Sequence, residues 1–109
     1  MLIVDTLYKN FTHRIKTPDG TAIISIVYSK PGVIEHLEMN IGKAGSAVAA
    51  WCNAFSRMTF LALQSTSLDE VIDLLSDIAT DRVVYADGVT CRSGPEAMAI
   101  ALRNYRSKL

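Results

Sequence analysis

Arg57 is the single charged side chain in the twenty-five residues from Ala44 to Leu68, and its neighbours decide what a guanidinium there can do. At 3.6 residues per turn, Ser46, Asn53, Arg57 and Gln64 fall within about 40° of one another on one stripe of a helix. Ala49 and Ala50 flank that stripe and leave room beside it. A guanidinium grips a phosphate in a bidentate fork, and neighbouring hydroxyls and amides complete a polar wall. The same stripe also has the composition that an amphipathic helix commonly turns to solvent. Both meanings stand on the sequence alone.

Two further stretches offer anion seats. In Ile41-Gly42-Lys43-Ala44-Gly45-Ser46 a strand runs through glycines into a helix start, so Lys43 lies beside free backbone N–H groups. The order of a Walker A loop is absent, and a tight strand-to-helix turn needs the same glycines. In the second stretch, Arg92 precedes Ser93 and Gly94 at another helix start. Tyr85 or Tyr105 would stack on a base, and Arg103 and Arg106 would reach across an interface. Near a helix C-terminus those cations also suit the macrodipole with no ligand at all.

Groups for covalent chemistry are missing from the pattern. The Ser, His and Asp residues lie in unrelated segments, no G-x-S-x-G elbow occurs, and no carboxylate pair or cofactor fingerprint is present. Cys52 and Cys91 with His13 and His36 lack the paired spacings of a zinc site. Cys52 sits in an apolar helical run, which favours a reduced, buried thiol. The expectation is a protein that is not an enzyme and uses neither metal nor cofactor.

Composition narrows the partners. Eleven basic and eleven acidic residues cancel, so no global field holds a long nucleic acid, whereas a small anion in a local pocket is compatible. Met1 to Val4 meets Asp5 at once without a basic region before it, so a signal peptide is not expected. Ser46, Asn53, Ser56, Thr59 and Gln64 interrupt the apolar run, which argues against a membrane span. Those features lead to an expected cytoplasmic location.

Residues 1–109 form one domain by size, half of them hydrophobic. Leu7 to Lys16 alternates in part, with Leu7, Phe11 and Ile15 inward. Thr17-Pro18-Asp19-Gly20-Thr21 closes a hairpin onto a strand from Thr21 to Tyr28. After Lys30-Pro31-Gly32, the stretch Val33 to Ile41 puts Val33, Leu37, Met39 and Ile41 inward, with Glu35 on the same register. Ala44 to Leu68 is expected to be the central core helix, burying Val48, Trp51, Phe55, Met58 and Leu61. Ser67-Leu68-Asp69-Glu70 and Ser93-Gly94-Pro95-Glu96 are capping boxes that start two further helices. The first of these runs to about Ala79, and the last turns Met98, Ala101, Leu102 and Tyr105 inward. Between them Arg82 to Tyr85 and Val89 to Cys91 are short and β-prone about an Asp87-Gly88 turn. The fold class is α+β: an antiparallel three- to four-stranded β-meander packed against a long central helix and two shorter helices.

The Pro18-Asp19-Gly20 hairpin, the Gly42-Lys43-Ala44-Gly45-Ser46 stretch with Phe55-Ser56-Arg57-Met58 and Leu61-Ala62-Leu63 after it, and Ser93-Gly94-Pro95-Glu96-Ala97 share an order and spacing. Together they resemble the TSCPD domain, found at the C-terminus of adenosylcobalamin-dependent ribonucleotide reductases and also free-standing. The likeness runs from about Pro18 to Leu102, and Arg57 falls where that family's central helix carries an arginine. The residues that name the family fall on Arg92, Ser93, Gly94, Pro95 and Glu96, so its cysteine is replaced by Gly94. Any metal or redox duty of that cysteine is lost, whereas the N-cap and the proline turn survive.

In size and pattern the chain is also similar to the phage Thoeris anti-defence 1 family, non-enzymatic oligomeric sponges for cyclic ADP-ribose isomers and, in some members, cyclic oligonucleotides. That resemblance implies a small cyclic nucleotide ligand and a homo-oligomer, dimer or hexamer, with sites between protomers. Arg57, Lys43, Asn53, Tyr85, Arg92, Ser93, Gly94 and Arg103 are the candidate ligand-binding residues. The alternatives are a regulatory, nucleotide-binding module of a ribonucleotide reductase, or a structural oligomerisation protein in which Arg57 bonds Glu35 or Asp69.

Overall fold

In the computed structural model, residues 7–42 and 45–109 are described. The chain opens with three antiparallel strands, β1 (Lys9–Thr17), β2 (Gly20–Lys30) and β3 (Val33–Ile41), in the spatial order β1-β2-β3. Pro18 and Asp19 form the two-residue connection, and Gly20 takes φ 123°, a value open to glycine. The pairs Phe11↔Ile26, His13↔Ile24 and Ile15↔Ala22, continued to Leu37, Met39 and Ile41, define one covered face. The opposite face carries Thr12, Arg14 and Lys16 of β1 and His36, Glu38 and Asn40 of β3, all exposed.

Helix α1 (Ala47–Ser65) follows β3, then α2 (Leu68–Ser76), the short strands β4 (Val84–Ala86) and β5 (Val89–Cys91), and α3 (Gly94–Ser107). β4 and β5 form a separate two-stranded sheet beside β1, so the meander stays at three strands. Their turn places Asp87 at φ 54° and Gly88 at φ 75°, the paired positive values of the tightest hairpin connection. α2 ends at Ser76, one turn earlier than the sequence suggests.

The core helix is α3. Ala97, Met98, Ala101, Leu102 and Tyr105 are wholly or almost wholly buried against Ile15, Ala22, Ile24 and Ile26. The Tyr105 hydroxyl accepts the Gly32 N–H at 2.9 Å, and its ring meets Tyr28 edge-on at 5.2 Å between centroids. The expectation that α1 fills the centre is overturned: Trp51 is 76% exposed, Met58 65%, Leu61 58% and Val48 41%. Instead α1 packs on β3, the edge strand of the sheet. There it buries only a narrow line of small side chains, Cys52, Ser56 and Thr59.

A second correction falls on β3. The register shifts near Tyr28, pairing it with Ile34 and the preceding Val27 with His36, so Glu35 is the extra residue of a bulge. Ile34 is therefore buried while Val33 and Glu35 face solvent, the reverse of strict alternation. Leu7 is likewise exposed, lying before β1 begins.

Candidate functional site

The site is built on the meeting of β3 and α1. Ser46 caps the helix: its Oγ accepts the Ala49 N–H at 3.1 Å, after Gly45 turns the chain at φ 84°. On the inward line the Ser56 hydroxyl accepts the Met39 N–H at 2.9 Å and donates to the Cys52 carbonyl at 2.7 Å. That double bond-up satisfies an edge-strand N–H and draws the helix onto the strand, so the edge is closed to further pairing. A small hydroxyl is needed for so close an approach, which is why the apolar aromatic side chains of α1 point elsewhere.

With Ser56 facing β3, Asn53 and Arg57 lie one turn apart on a flank of α1. Glu38 and Asn40 of β3 face that flank, with Gly45, Ser46, Ala49, Ala50 and Asn53 around a cleft of about 310 Å³. Asn40 donates from Nδ2 to Glu38 Oε1 at 3.2 Å, and His36 Nε2 lies 3.7 Å from the other Glu38 oxygen. Arg57 is exposed, and the ion pairs among the described residues all belong to other cations. Neither Glu35 nor Asp69 is joined to it; Asp69 pairs with Arg106. The cleft itself presents the Asn53 amide and the helix N-terminus as donors, the Asn40 amide being engaged by Glu38, and the Arg57 guanidinium stands one helical turn beyond Asn53. Glu38 adds an acceptor for hydroxyls or exocyclic amines.

Lys43 lies outside the described residues. Arg92, Ser93, Gly94 and Arg103 form a second cluster, away from the Asn53–Arg57 flank, where α2 ends and α3 begins. The Arg92 backbone N–H donates to Glu96 Oε1 at 2.7 Å, and its guanidinium forks onto the same carboxylate, with Nε at 3.1 and 3.0 Å from the two oxygens. Arg92 also reaches the Ser76 carbonyl at 3.1 Å, and Arg103 reaches the Ser76 hydroxyl at 2.8 Å. The Arg92 guanidinium holds the Glu96 carboxyl below its ordinary pKa, against a smaller opposing effect of burial. Ser93 Oγ accepts the Glu96 N–H at 3.0 Å and donates to the Ile78 carbonyl at 2.5 Å. Gly94 is buried against Ile41 and Met39. Tyr85 projects from β4, 74% exposed.

A second, apolar cleft of about 390 Å³ opens on the other flank of α1, between Trp51, Phe55, Met39, Ile41 and Pro95. Cys52 lines it, and burial pushes that thiol up, as it does Cys91. Both are therefore held as thiols at neutral pH.

Of the residues singled out in the sequence, Asn53 lines the cleft and Arg57 does not; Glu38 and Asn40, which also line it, were not singled out. The signal for them was present: they occupy the solvent-facing register of β3, the strand on which α1 packs.

A small antiparallel sheet, with its β3 edge closed by a helix and a polar cleft along that helix, makes this a compact α+β module. The pattern of the TSCPD domain matches residues 5–106. The chain belongs to the TSCPD domain family. No curated protein matches it, and no solved structure does. No helix among the described residues is long and apolar enough to cross a membrane.

Proposed function

We propose that this TSCPD protein is a non-enzymatic binder of a small cyclic nucleotide, which it sequesters unchanged and so withdraws as an immune signal. The observation that carries the reading is the polar cleft between β3 and α1, lined by Glu38, Asn40, Ser46 and Asn53, with Arg57 exposed one helical turn beyond Asn53. A guanidinium without a carboxylate partner among the described residues supports a role in gripping phosphate. The neutral net charge supports a small ligand over a polymer. The resemblance to the Thoeris anti-defence 1 family supports a cyclic ADP-ribose isomer over a linear nucleotide.

Calorimetric titration with glycocyclic ADP-ribose, then with ATP and dATP in the same buffer, tests this. A sponge acts at low signal concentration, so a dissociation constant of nanomolar order, about −12 kcal/mol, is expected for the cyclic compound. The ligand should be recovered intact on heating the complex. Arg57→Ala removes a charge-assisted bond worth about 1.5–3 kcal/mol and should weaken binding about 10- to 150-fold. Binding of ATP or dATP alone would overturn sequestration and leave the ribonucleotide-reductase module as the reading to pursue. The exposed apolar side of α1 favours a role for this chain in an assembly, which both readings accommodate.

A further inference from the structure

We infer that the Asp87-Gly88 step at the tip of the β4–β5 hairpin is a self-modification site, where the main chain converts to an isoaspartyl linkage while the other Asp-Gly step, Asp19-Gly20, stays intact. The sequence presents the two steps as equals. The fold separates them.

The reaction needs only the chain and solvent water. The Gly88 backbone nitrogen attacks Cγ of Asp87; a C–N bond forms, and the Cγ–OH bond breaks as water leaves with the amide proton, closing a five-membered succinimide. Water then adds at the ring carbon that was the Asp87 main-chain carbonyl, and the bond from that carbon to nitrogen breaks. The chain now runs through Cβ and Cγ to Gly88, and the former carbonyl is a free carboxylate. One water is lost and one regained, so the mass is unchanged.

The attacking nitrogen is free in one turn and held in the other. In the two-residue connection between Ala86 and Val89 the turn is closed by the Val89 N–H, and among the described residues the Gly88 N–H donates to no acceptor. A Cβ built at Gly88 would meet nothing within 4 Å, and Asp87 enters none of the ion pairs among the described residues. Asp87 holds φ 54°, a region that costs a residue with a Cβ, so opening the turn relieves it. Gly20, by contrast, is the first residue of β2 and pairs with Thr17. The Thr17 hydroxyl ties both sides of that turn, accepting the Asp19 N–H at 3.1 Å and donating to the Gly20 carbonyl at 2.7 Å. Arg82 lies 3.6 Å from the Asp19 carboxylate, and a Cβ at Gly20 would stand 3.3 Å from Ile41.

The sheets behind the turns differ in the same sense. β4 and β5 are three residues each in a sheet of two strands, whereas β1 and β2 run nine and eleven residues within a sheet of three. A two-stranded hairpin is marginal by itself, so β4–β5 opens locally at a lower free energy than β1–β2. The isoaspartyl product lengthens the main chain by one methylene. A two-residue connection matched to the strand twist does not absorb that, so the pairs Ala86↔Val89 and Tyr85↔Thr90 are released.

Ageing the full chain in buffer near pH 6, then digesting it with an endoproteinase that cuts before aspartate but not before isoaspartate, tests the inference. Cleavage before Asp87 should disappear at least about tenfold faster than cleavage before Asp19, with no change in the mass of the intact chain. In urea, where neither turn is held, the two steps should convert at similar rates. Asp87→Glu, whose side chain is too long to close the five-membered ring, should abolish isoaspartate in the folded chain while its circular dichroism spectrum matches the wild type. Equal rates at the two steps of the folded chain would overturn the inference. So would a folded chain that keeps its cleavage before Asp87 over a time in which the urea-unfolded chain loses it.

Discussion

Two arginines of this chain have the same chemistry and opposite surroundings. Arg92 is forked onto Glu96 and bonded to the Ser76 carbonyl, so its charge is answered inside the fold. Arg57 projects from the flank of α1 toward solvent beside a cleft of amides. What separates them is the carboxylate four residues after Arg92, which a sequence reader meets as the last member of a capping box. Ser56 is the residue on which the position of Arg57 depends, because its hydroxyl holds α1 to the Met39 N–H. Ser56→Ala removes that acceptor from a buried donor and should cost about 1–3 kcal/mol. For a chain of this size the melting temperature should fall by about 4–8 °C per kcal/mol, readable by calorimetry. The binding proposed at the cleft should weaken with it, since the flank bearing Asn53 and Arg57 is no longer held in register.

At the scale of elements, hydrophobicity and burial part company. The run from Ala44 to Leu68 is the most apolar in the chain, yet α1 is a peripheral helix and the more polar α3 is the buried one. The hairpin, the two serine caps and the inward face of α3 were legible because each is written in local spacing: Pro18-Asp19-Gly20, Ser67 to Glu70, Ser93 to Glu96, and Met98 to Tyr105. The layering was not, since nothing local tells a helix that seals a sheet edge from one that crosses its face. The small residues Cys52, Ser56 and Thr59 at spacings of three and four were the available sign, and they are read easily as breaks in an apolar surface. The bulge at Glu35 was hidden for a similar reason, because one extra residue inverts an alternation without changing its composition. The caps themselves differ in weight. Ser93 is buried and makes two bonds, to the Glu96 N–H and to the Ile78 carbonyl, whereas exposed Ser67 makes one, to the Glu70 N–H. Ser93→Ala should therefore lie at the upper end of the 0.5–2 kcal/mol range of about that size for a lost cap, and Ser67→Ala at the lower end. Urea unfolding of the two variants side by side measures the difference.

For the whole molecule the consequence is a stability that falls in acid in two stages. His13, on the covered face of β1 and stacked 4.9 Å from Phe11, has its pKa lowered first by burial and then by the nearby charge of Lys108. The unfolded chain therefore takes up a proton near the ordinary value of 6.5 before the folded one does. Stability contributed by the neutral ring is present above 6.5 and is lost as pH falls through the lowered folded value. Glu96 acts in the same direction lower on the scale. Its folded pKa lies under the ordinary 4.5, so the stabilisation by Arg92 is complete above that value and disappears as pH drops through the folded one. Melting temperature plotted from pH 8 to pH 3 should show a shallow decline beginning near 6.5 and a steeper one below 4.5. His13→Phe should flatten the first stage and leave the second, because the ring stack with Phe11 survives while the titrating group is gone. Glu96→Gln should lower stability at neutral pH and flatten the second stage, since the lost carboxylate no longer answers Arg92 at any pH. A variant that removed both stages at once would place the two groups in one cooperative network spanning β1 and the start of α3, in place of the two independent sites that their separate partners define.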